Sequence, residues 1–108
     1  MATADDNAED TYDQGLTALM KGDVRRAVKL FARAIDLDRS MIAAYHQLGR
    51  CYVRMGEPQR ATEVLSQVVH KKPDLLPARI DLGQALLNQG ATDRAREQFG
   101  PVGSGRHC

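Results

Sequence analysis

The sequence predicts an all-α fold, a solenoid of three helix–turn–helix repeats. Two observations carry this. The chain lines up with itself at an offset of 34 residues. Gly15, Gly49 and Gly83 form one series, Gly22, Gly56 and Gly90 a second, and Ala27, Ala61 and Ala95 a third. The bulky residues Phe31, Leu65 and Phe99 keep the same step. The composition agrees: 108 residues suit one domain, Trp is absent, and aromatics are only 5%. Ala, Leu, Arg, Gln and Glu take their place, and these are good helix formers.

Each unit reads as two helices, predicted over 9–21 and 24–38, then 41–55 and 58–71, then 74–89 and 92–99. Gly22, Gly56 and Gly90 end the first helix of each pair, where a left-handed cap residue is needed. Asp23, Glu57 and Ala91 follow, so two of the three second helices open with an acid that suits the N-terminal dipole. Pro58 belongs in a first helical turn, and Pro73 closes the second unit. Gly15, Gly49 and Gly83 fall inside helices, where Gly costs about 0.5–1 kcal/mol relative to Ala. A cost repeated at one register implies close approach of the two helices, with Ala27, Ala61 and Ala95 as the small partners. Leu48, Tyr52, Leu65 and Val68 then fill the middle unit, and Leu82, Leu86 and Phe99 the third.

These residues resemble the tetratricopeptide repeat (TPR). Its unit carries a large residue, Leu-Gly and an aromatic on the first helix, then Ala, a bulky residue and Ala on the second, and ends at Pro. The middle unit matches through Tyr45, Leu48, Gly49, Tyr52, Gly56, Ala61, Leu65 and Pro73. The first matches through Gly15, Gly22, Ala27, Phe31, Ala34 and Leu37, the third through Leu82, Gly83, Leu86, Gly90, Ala95 and Phe99. The resemblance implies a right-handed superhelical solenoid with repeats over 8–41, 42–75 and 76–102, an acidic disordered stretch over 1–7 and a flexible tail over 103–108. Gln14, Ala18 and Arg39 depart from the pattern in the first unit. Gly100 and Pro101 cut the third unit's second helix short, and no polar capping helix follows. A fragment of a longer array is expected, with a natural truncation and a pairing surface between two copies as alternatives.

The resemblance also implies where a ligand sits: on the concave face lined by the first helices. The positions are Tyr12, Asp13, Leu16, Leu19 and Met20, then His46, Gln47, Arg50, Val53 and Arg54, then Ile80, Asp81, Gln84, Leu87 and Asn88. Arg50 and Arg54 share one helical face and His46 extends the same row, so a groove with a basic centre between less polar flanks is expected. Either they grip a carboxylate of a bound peptide, or they pair internally with Asp13 or Asp81. The Lys/Asn clamp by which some family members hold acidic chaperone tails is missing, since Tyr12, Leu16, Gln47, Pro77 and Asp81 occupy its positions.

The expected function is a protein-interaction scaffold for a peptide or partner protein, with an acidic group suiting Arg50 and Arg54. The alternative is a self-assembling structural module, a homo-oligomer formed through the uncapped C-terminal repeat. A net charge of +1 without a basic stripe disfavours nucleic acid. The run His70-Lys71-Lys72 reads as a helix C-terminus with cations suited to its dipole, or else as a polyanion site. No apolar run approaches the ~20 residues of a membrane span, and no export signal opens the chain. A cytoplasmic location is expected. Cys51 reads as a small core residue, and Cys51 and Cys108 do not form a disulfide framework. No nucleophile–base pair, phosphate loop or metal-ligand spacing occurs, so no enzyme activity, metal or cofactor is expected.

Overall fold

A computed structural model describes residues 7–90 together with Arg94 and Gln98. The chain runs through five described helices: α1 (Ala8–Met20), α2 (Val24–Leu37), α3 (Ile42–Arg54), α4 (Pro58–Lys71) and α5 (Leu76–Asn88). No strand occurs among the described residues. The helix expected over 92–99 lies outside them, apart from helical Arg94 and Gln98.

The ends of the helices follow from backbone chemistry. Gly22, Gly56 and Gly90 adopt φ of +81°, +76° and +85°, the left-handed region that side chains avoid. At the first two, the chain reverses through paired hydrogen bonds. Gly22 N–H donates to Leu19 and Asp23 N–H to Ala18; Gly56 N–H donates to Val53 and Glu57 N–H to Tyr52. These satisfy carbonyls the helix end would otherwise leave unpaired. Asp23 also caps α2 through its carboxylate, which accepts the N–H of Arg26 at 3.2 Å. Glu57, one methylene longer, makes no such cap and pairs instead with Arg60 at 3.3 Å.

α5 begins two residues later than the sequence predicts. A start at Asp74 would put Pro77 in the fourth helical position, where its missing N–H forfeits a bond. The observed start at Leu76 keeps Pro77 in the first turn, where nothing is lost.

Two buried clusters make one seam. Ala18, Ala27, Phe31, Leu48 and Cys51 join α1, α2 and α3. Ala61, Leu65, Leu82, Ala85 and Leu86 join α4 and α5. Tyr52 packs against both. Each hairpin therefore buries its apolar face on the next, as stacked repeats require. The helix glycines are needed for close approach, but their partner is not the expected one. A Cβ on Gly15 would lie 2.6 Å from the Phe31 ring, and one on Gly49 would lie 2.5 Å from Leu65 Cγ. Phe31 and Leu65, rather than Ala27 and Ala61, press on the glycines. The reason is size: the large side chain four residues beyond each alanine reaches across to the first helix. Gly83 is buried too, while Ala95, its expected partner, and Phe99, which keeps the register of Phe31 and Leu65, lie outside the described residues.

Candidate peptide-binding face

α3 and α5, the first helices of successive hairpins, pack against each other and carry most of the expected site. Three of its residues converge. The His46 Nε2 lies 2.8 Å from Asp81 Oδ2 and, facing a carboxylate that only accepts, donates to it. Arg50, one turn along α3, places Nε 3.5 Å from the same oxygen. Asp81 is therefore an internal counter-charge to α3.

This corrects two expectations. His46 does not extend an open row with Arg50 and Arg54; it is buried between the helices. The centre of the face is also less basic than a count of its arginines implies, because Arg50 is shared with Asp81. The sharing is partial. The Arg50 side chain stays 53% exposed, and a pair this wet stabilises by at most about 1 kcal/mol. Arg54 is exposed and enters no ion pair among the described residues, and neither does Asp13.

The remaining positions divide by exposure. Met20, Ile80 and Leu87 are apolar yet 87%, 56% and 41% exposed. Gln84 and Asn88 are exposed beside them, joined by a hydrogen bond from Gln84 Nε2 to Asn88 Oδ1 at 3.0 Å. Gln47 and Val53 are half-buried. Tyr12, Leu16 and Leu19 are half-buried against the first core cluster, with the Tyr12 ring tilted on Phe31 at a centroid distance of 5.5 Å. They offer an edge rather than a whole side chain. Leu76 is 61% exposed, one turn before Ile80, and extends its apolar row. Sequence reasoning missed it. The i, i+4 spacing to Ile80 was the available signal.

Cys51 is a free thiol in the core. Burial pushes it up, against the opposing pull of Arg54 and Arg50, so it holds its proton and is a poor nucleophile. Among the described residues no group of three His, Cys, Asp or Glu side chains could hold a metal ion. Nor is any described helix long and apolar enough to cross a membrane.

The tetratricopeptide repeat profile matches residues 18–77 and 54–103. Among solved structures, two crystal structures of MamA resemble the chain. One is 30% identical with a TM-score of 0.83, covering 89% of this chain and 52% of that one. The other is 31% identical with a TM-score of 0.82, covering 87% and 55%. A putative kinesin light chain from Podosopora anserina with nearly identical TPR-like repeats shares the fold at 23% identity and a TM-score of 0.70, over 85% of this chain and 51% of that one. The chain thus spans about half the length of these structures. No curated protein matches it in sequence. With the profile covering most of its length and the repeat geometry present in each described hairpin, the chain belongs to the tetratricopeptide repeat family.

Proposed function

We propose that the chain is a protein-interaction scaffold that binds a peptide or partner protein along α1, α3 and α5, within repeats spanning 8–41, 42–75 and 76–102. One observation carries the reading. Along the first helices a mixed row stays exposed, with apolar Met20, Ile80 and Leu87 flanking the cations Arg50 and Arg54. Large exposed apolar groups beside polar ones are the usual composition of a recognition surface. Arg54 is the stronger anchor for an acidic group, since Arg50 is partly held by Asp81. Asp81 in turn sets a preference for one carboxylate over an acidic run.

The test is selection of binding peptides from a displayed library, followed by affinity measurement. Arg54→Ala is expected to weaken a selected acidic peptide by about tenfold, the value of one good charge-assisted bond. Unchanged affinity in an Arg54→Ala protein that keeps its helical content would sink the assignment. The second reading is self-association through α5, favoured by the exposure of Leu76 and Ile80. Light scattering separates the two: mass that grows with concentration supports self-association, and a constant monomer supports the scaffold.

A further inference from the structure

A cavity of about 380 Å³ lies at the joint between the first and second hairpins, away from the face described above. Its wall is made by Arg39 and Ser40 from the α2–α3 link, Ile42 and Tyr45 from the start of α3, and Val68, Lys71 and Lys72 from the end of α4. We propose that it binds a small organic dianion of the phosphate-monoester type, an anionic head on an apolar body.

Charge is the first ground. Three cations line one cavity, no carboxylate lines it, and none of the three enters an ion pair among the described residues. Like charges gathered without a partner repel, and a dianion between them removes the repulsion. The nearest acid in sequence, Asp38, does not line the cavity, though it is tied to Ser40 of its wall. Its carboxylate accepts the Ser40 N–H at 3.0 Å and the Ser40 hydroxyl at 2.6 Å. The carbonyl end of α4 opposes an anion, and Lys71 and Lys72 stand at that end to offset it.

The second ground is the lining. Ile42, Tyr45 and Val68 give apolar surface beside the charges, and the volume is that of a small-molecule site rather than a protein-docking groove. The sequence carries the trace of this site in Lys71-Lys72, a pair that the peptide-binding face leaves unused. The cavity shares no residue with that face, so either can fail without the other.

Phenyl phosphate is the probe, titrated into the full chain and followed by ¹H–¹⁵N correlation spectra. The expected result is saturable shifts confined to the amides of 39–45 and 67–72, weakened by salt. Neutral phenol should give none. Arg39 and Lys71 are exposed, so a double Arg39→Gln, Lys71→Gln variant should fold normally. It should bind about tenfold more weakly, since each lost charge-assisted bond is partly screened by solvent. An unaltered spectrum, shifts scattered over every cationic surface, or equal affinity in the double variant would overturn the site. A phosphotyrosine peptide that binds far more tightly than phenyl phosphate, with shifts running beyond the cavity, would overturn its assignment to a small molecule.

Discussion

At the residue scale, two glycines and one aspartate decide the most. Gly49→Ala improves helix propensity by about 0.5–1 kcal/mol. It also drives a methyl to 2.5 Å from Leu65 Cγ, and Leu65 is fully buried in a core that packs densely. Overpacking of this kind costs about 1–3 kcal/mol, so the clash wins. Gly49→Ala and Gly15→Ala are each expected to lower the unfolding free energy by about 1–2 kcal/mol net, measured by urea titration. A gain in stability would show that Leu65 or Phe31 moves aside freely. Asp81→Asn keeps an acceptor for His46 but removes the charge that holds Arg50. Affinity for a selected acidic peptide should rise about two- to fivefold, in line with a partly exposed pair. A fall would mean that Asp81 itself contacts the ligand.

Cys51 gives a pH-dependent prediction at the same scale. Its thiol is raised in the folded protein, so the folded state holds the proton more tightly than the unfolded state. That stabilising difference is intact below the ordinary thiol range, near 8.5–9, and is lost as pH rises through the folded value. A Cys51→Ala variant should therefore lose less stability than the parent between neutral and strongly alkaline pH, compared by chemical denaturation. Equal slopes would show that the thiol ionises in place without penalty.

At the element scale, the caps carry the periodicity. Gly56→Ala meets no atom within 4 Å, so its cost comes from backbone alone. A positive φ of 76° should cost about 1–2 kcal/mol in that variant. The helix order was legible in the sequence because glycine at such φ is a chemical requirement repeated every 34 residues. The start of α5 was misplaced because Pro73 and Pro77 both mark boundaries, and only the position of the lost N–H separates them. The His46–Asp81 bond was not legible from register. Asp81 corresponds to Gln47 and Asp13 in the other units, and nothing in the 34-residue pattern makes it special. Its partner lies 35 residues away, one repeat plus one residue, which is the offset between neighbouring first helices in the stack. A search for polar pairs at that offset was the signal.

At the scale of the whole molecule, the hairpins share one apolar seam, bridged at Tyr52 between the two core clusters. The seam fixes the spacing of α3 and α5 and leaves outer residues such as Arg50, Ile80 and Leu87 exposed. Much of the exposed row was legible through the family resemblance, with buried His46 and the missed Leu76 as exceptions. Its electrostatics were not, because they depend on which side chains of adjacent hairpins meet. The most direct measurement is mapping a selected acidic peptide onto the chain by ¹H–¹⁵N chemical-shift perturbation. Shifts centred on Arg50, Arg54, Ile80, Gln84 and Leu87, with little change along α2 and α4, are expected. Shifts concentrated on α2 and α4, with Arg54 and Leu87 unmoved, would contradict binding at the first-helix face.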